Sequence, residues 1–141
     1  MNEERKLYFS GSAIDLDNVK FTRLSKPEVQ PADVKIITED DYEIHNVTLS
    51  QFSITCNRRI ELDPKVYFEV FVSFEVTIFF AKETMKEFDG KLEELRRVID
   101  SKIDKILLLT GVYARASSLI SSITMQYNGN PVITAPIFSK K

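Results

Sequence analysis

At 141 residues the chain is long enough to bury a real core, and it is read as a single domain over residues 1–141. Hydrophobic residues at 43% and charged ones at 28% exclude a disordered chain. The formal charge of −2 argues against nonspecific nucleic-acid binding, which needs clustered Lys and Arg to displace counterions.

The opening Met1-Asn2-Glu3-Glu4-Arg5-Lys6 lacks the apolar centre of a signal peptide. Residues 7–24 have strand character, with Ile14 and Leu16 on one parity and Val19 and Phe21 on the other. A change of parity inside one strand requires a bulge or turn, and Asp17-Asn18 is the place for it. Residues 25–33 carry Pro27 and Pro31 and form an irregular crossover. Residues 34–37 form a short strand, and the acidic Glu39-Asp40-Asp41 after it reads as a solvated turn.

Two strong strand signals follow. Across residues 52–62, Phe52, Ile54, Cys56, Ile60 and Leu62 alternate with polar residues, and only Arg58 breaks the pattern. Across residues 66–80, the even positions from Val66 to Phe80 are all apolar. Joined by Asp63-Pro64-Lys65, the two runs form a hairpin. A strand of about 15 residues is roughly 50 Å long. Tyr67, Phe71 and Phe79 occupy its other face, either as a contact surface or because aromatics favour strands. No window reaches the apolar length of a membrane span, so no membrane insertion is expected.

Residues 91–127 read as one long helix, or as two collinear helices meeting near Gly111. Leu92, Leu95, Ile99, Ile103, Ile106, Tyr113, Ile120, Ile123 and Tyr127 keep one stripe on a 3.6-residue repeat. From Ile106 onward, Leu107, Leu108, Leu109, Val112 and Leu119 spread apolar surface to other faces, which must then be covered. A continuous helix of this span would be roughly 55 Å long. A globule of this mass is only about 30 to 35 Å across. The helix therefore bends at Gly111 or runs through an assembly larger than one chain. Asn128-Gly129 stops it, and residues 129–141 are extended. Strands first and helix last make an α+β chain with an antiparallel sheet.

Catalytic and metal chemistry finds little support. His45 and Cys56 are single residues of their kinds, and His45 has no partner at zinc-ligand spacing. Cys56 lies on the apolar parity of its strand and reads as a core residue; it excludes an intrachain disulfide and fits a cytoplasmic location. Four glycines form no phosphate loop, and no nucleophile elbow occurs. No cofactor, no metal and no enzymatic activity are expected.

Two segments carry a resemblance. Gly111-Val112-Tyr113-Ala114-Arg115 opens a serine-rich helix, and Gly129-Asn130-Pro131-Val132-Ile133-Thr134-Ala135-Pro136-Ile137-Phe138 follows it. Together with the order of strand, Pro-bearing crossover and long hairpin, they resemble the protein-export chaperone SecB family. The resemblance implies a four-stranded antiparallel sheet packed on one long, Gly-interrupted C-terminal helix. It also implies a homo-oligomer, a dimer or dimer of dimers, with helices between two eight-stranded sheets. Family members bind non-native polypeptides without ATP; some deliver them to the SecA motor and others protect an antitoxin. The family's acidic SecA-contacting positions align here with Asn18 and Thr22, and Gly111-Val112 stands where the family has a proline before the Tyr. These departures argue against SecA as the partner. The family's last helix would begin beyond Lys141, so a more open groove is expected.

The reading that follows is an ATP-independent holdase whose apolar grooves take unfolded polypeptide clients, with protein export as one use. Buried apolar area would contribute roughly 25 cal/mol per Å², and weak sites would add through avidity. Val29, Val34, Ile36, Phe68 and Phe74 are expected to bind clients; Tyr113, Ala116, Ile120 and Ile123 are expected at the oligomer interface. The alternatives are a dedicated partner protein for one folding client, such as an antitoxin, and an enzyme for a small molecule or nucleotide.

Overall fold

In the computed structural model, which describes residues 5–139, the elements run β1 (Phe9–Arg23), β2 (Lys35–His45), β3 (Gln51–Asp63), β4 (Phe68–Phe80), α1 (Lys82–Glu87), α2 (Leu92–Thr110) and α3 (Val112–Asn128). Residues 1–4 and 140–141, part of the opening stretch and of the tail read above, lie outside the described residues.

The period-two pattern of β3 and β4 becomes the buried wall of the core. Phe52, Ile54, Ile60, Val70, Val72, Val76, Ile78 and Phe80 are all buried. The strands form one antiparallel sheet in the order β1-β4-β3-β2. The hairpin strands lie in the middle, and β1 and β2 are the edges. In β1 the register shifts between Leu16 and Asn18, so that Leu16 pairs with Phe74 and Asn18 with Ser73. Asp17 is the extra residue. It keeps Ile14 and Leu16 on the same face as Val19 and Phe21, as their parities require.

Three boundaries differ from the sequence reading. β2 extends through Glu39-Asp40-Asp41, which are paired with Arg59, Arg58 and Asn57 of β3. Cross-strand partners keep this acidic run extended, where its composition suggests a turn. β4 begins at Phe68, because Tyr67 takes a left-handed φ of 69° in the connection. The short helix α1 was not expected; six residues are too few to display a helical period.

The long helix is two helices. Gly111, with φ of 69°, closes α2 and caps α3, and their axes bend by 47°. The bend removes the length problem within one chain. α2 lays Leu95, Ile99, Ile103, Ile106 and Leu107 into the core. In α3, Val112, Tyr113, Ala116 and Ile120 are buried. Gly129, again left-handed, ends α3. No single helix among the described residues is long and apolar enough to cross a membrane.

Candidate functional site

The helices cover the two central strands more completely than the outer ones. On β1, Leu16 is 53% exposed, although its partner Phe74 on β4 is only 7% exposed. Val19 is also exposed, beside fully buried Val72. On β2, Ile36 is 49% exposed, while its partner Leu62 on β3 is 6% exposed. Cross-strand partners share a face. The core-facing side of the sheet therefore continues past the helix layer as an apolar margin at both edges. Val34 and the crossover residue Val29 are exposed next to the β2 margin in sequence.

Of the expected client-binding residues, Val29, Val34 and Ile36 thus lie on the surface, Ile36 at the start of β2 and Val34 just before it. Phe68 and Phe74 are members of the central core. Phe68 stacks on Phe21 and meets the edge of the Tyr127 ring. Val34 and Ile36 are neighbours in sequence at the β2 margin, whereas Phe68 and Phe74 belong to the core.

The residues expected between subunits also have intrachain partners. Tyr113 donates its hydroxyl proton to the Asp41 carbonyl oxygen at 2.7 Å and meets the Phe138 ring edge-on. Ala116 and Ile120 are buried and Ile123 is half-buried. Their cover comes from the chain's own sheet and from the tail, which runs back along α3. The Val132 amide donates to Thr124 Oγ1, and Ser117 Oγ donates to the Thr134 carbonyl, each at 2.7 Å. Leu108, Leu109 and Met125 remain exposed on the helices.

The tail is fixed by a residue whose partners are remote in sequence. Arg58 is fully buried and holds Asp40 through two hydrogen bonds of 2.7 Å, Nε to Oδ1 and Nη2 to Oδ2. Its remaining donors reach Thr134 Oγ1 and the carbonyls of Ala135 and Ile137. Asp40 Oδ2 also accepts from the Ser139 amide at 2.7 Å. The Arg58 guanidinium lies 5.2 Å from the Tyr113 ring centroid. A fully desolvated cation is tolerable only when paired and hydrogen-bonded throughout, and this one is. Its sole sequence signal is a charge at an apolar-parity position.

The other candidates for chemistry are occupied by structural roles. Burial pushes the Cys56 thiol up to about 12, so it stays protonated and unreactive. Desolvation likewise raises Tyr113 well above the ordinary phenol range. His45 Nε2 lies 2.9 Å from Thr55 Oγ1 and 3.1 Å from Glu75 Oε2 on the other face of the sheet. Phe71, on that face too, is covered by the Arg59 guanidinium at 5.2 Å. No group of three or more His, Cys, Asp or Glu placed to hold a metal occurs among the described residues. Apolar margins beside open strand edges are suited to noncovalent contact with extended polypeptide.

No protein-family model and no curated protein matches the chain. Solved structures do match. Among them is a SecB-like chaperone of Mycobacterium tuberculosis in complex with a ChAD peptide from the HigA1 antitoxin. The likeness has a TM-score of 0.56, spans 87% of this chain and 86% of that one, and carries 12% identity. At that identity it shows a common fold alone.

Proposed function

We propose that the chain is a non-enzymatic, ATP-independent chaperone that holds a non-native polypeptide segment, in the manner of a partner protein dedicated to one client such as an antitoxin. The observation that carries the reading is the apolar margin at the start of β2, where Ile36 stands exposed beside buried Leu62. A margin with apolar side chains and an unpaired strand edge offers a client both burial and main-chain hydrogen bonds. The shared fold with a chaperone solved on an antitoxin peptide supports a dedicated client over general export. The neutral Asn18 and Thr22 support it as well, since nothing acidic stands at those two positions for SecA to meet.

Val29, Val34 and Ile36 make the client contacts in this proposal. Each fully buried aliphatic side chain contributes about 1.5–3 kcal/mol, so Val34→Asp with Ile36→Asp weakens binding at least about tenfold. The test is light scattering of a chemically unfolded client diluted into buffer with the protein. Aggregation is slowed by the native chain and not by the double variant. Slowing that is confined to one client supports the dedicated reading; equal slowing of many unrelated clients supports a general holdase. Aggregation as fast with the native chain as without it overturns both.

A further inference from the structure

A cleft distinct from the β2 margin lies between the start of β1 and α2, with a volume of about 550 Å³. Its apolar surface comes from Leu7, Phe9, Ile106 and Leu109. Its rim carries three cations, Lys6, Lys102 and Lys105. A shallower hollow of about 220 Å³ shares Phe9, Ile106 and Leu109 with it and continues along Ser10, Gly11 and Ser12.

The wall that holds Lys6 and Phe9 is fastened in place. Thr84 of α1 is fully buried; its Oγ1 accepts from the Tyr8 amide at 2.8 Å and donates to the Tyr8 carbonyl at 3.3 Å. The Ala81 amide donates to the same carbonyl at 2.8 Å. Arg5 lies over the Phe88 ring at 4.5 Å and pairs with both Glu87 and Glu94. Its single positive charge offsets one of those two carboxylates. Lys6, Lys102 and Lys105 form no ion pair among the described residues. A preformed apolar floor thus sits under a rim of three lysines that form no ion pair among the described residues, although the chain as a whole has a formal charge of −2.

Charge complementarity selects an acidic occupant, and the floor selects an apolar one. The hollow that prolongs the cleft runs along β1, an edge strand. Its free backbone groups can pair with another main chain and have nothing to offer an acyl chain. We propose that this cleft binds a polypeptide segment in which apolar side chains are interleaved with Asp or Glu. The apolar residues fill the cleft, and the carboxylates meet Lys6, Lys102 and Lys105. The proposal does not depend on the client margin at β2.

The test is fluorescence anisotropy with a labelled short peptide of Phe and Leu separated by Glu, and with its counterpart carrying Lys for Glu. At low salt the Glu peptide binds the full chain about tenfold tighter, as expected from three partly exposed charge contacts. The gap closes as salt shortens the screening length to about 3 Å near 1 M. Lys102→Glu with Lys105→Glu reverses the preference, and Leu109→Asp, at a residue 72% exposed, weakens the Glu peptide. Ile36→Asp leaves the preference intact even if it abolishes client holding. Equal binding of the two peptides, or a preference unmoved by the lysine changes, overturns the proposal. Saturable binding of oleate with neither peptide bound overturns it in favour of a fatty-acid site.

Discussion

Arg58 concentrates in one side chain what the tail requires. Its guanidinium and the Asp40 carboxylate are both fully buried, and together they hold three segments: β2, β3 and residues 134–139. Arg58→Met would leave Asp40 desolvated without a partner, so a loss of about 3–5 kcal/mol is expected in urea denaturation. Asp40→Leu added to Arg58→Met restores much of that stability, because a well-packed apolar pair can replace a buried ion pair. It does not restore the donors for Ala135 and Ile137 or the acceptor for Ser139. Fast amide exchange over residues 132–139 is therefore expected in the double variant despite the regained stability. Residue identity alone could not reveal this arrangement. Arg58 interrupts an apolar alternation, a visible signal, but its partners lie 18 to 79 positions away. The same distance hid Asp40, whose acidic neighbours suggest water.

At the scale of elements, legibility followed periodicity. β4 alternates cleanly, β3 does so apart from Arg58, and the apolar stripe of α2 recurs at three and four; burial follows these patterns, with Ser53 and Ser73 buried on the opposite parity as well. The parity switch in β1 marked its bulge correctly. β2 is legible only where it is apolar, since its second half is held by cross-strand partners. α1 has no period to read, and its buried Thr84 acts through bonds to the distant Tyr8. The bend between α2 and α3 rests on Gly111, whose φ of 69° is costly for any residue with a Cβ. An added methyl group at Gly111 would meet nothing within 4 Å, so the penalty is one of backbone conformation and not of space. Gly111→Ala is expected to lower stability by about 1–2 kcal/mol, measured by urea denaturation. A fall well below 0.5 kcal/mol would mean that the bend tolerates a straighter backbone.

For the whole molecule, the decisive feature is a sheet wider than the helices beneath it. The helix layer buries the middle strands and stops short of Leu16 and Val19 at one edge. Leu108 and Met125 are likewise exposed on the helices. Apolar surface of this kind beside an open strand is commonly covered by another chain. Self-association is the expected outcome, with sedimentation of the native chain above the mass of a single copy. Leu16→Asp together with Val19→Asp would return it to 16.2 kDa. A native chain that sediments as one copy across micromolar concentrations would remove the oligomer from this account. The apolar surface left exposed on the helices lies at Leu108, Leu109 and Met125. Tyr113, Ala116 and Ile120 are buried by the chain itself, because the tail folds back over them through contacts that no local pattern encodes.

The spare residue in β1 bears on how such a chain can change by gene-level accident. Because Asp17 and Asn18 together face Ser73, losing Asp17 would leave an ordinary ladder with Leu16 and Val19 facing as they do now. Losing Asp15 or Leu16 instead would absorb the bulge as well, but would set Asp17 opposite Phe74 on the core-facing side. Tolerance for a dropped codon in the middle of this strand is thus gathered at Asp17 and Asn18, either of which can face Ser73 alone.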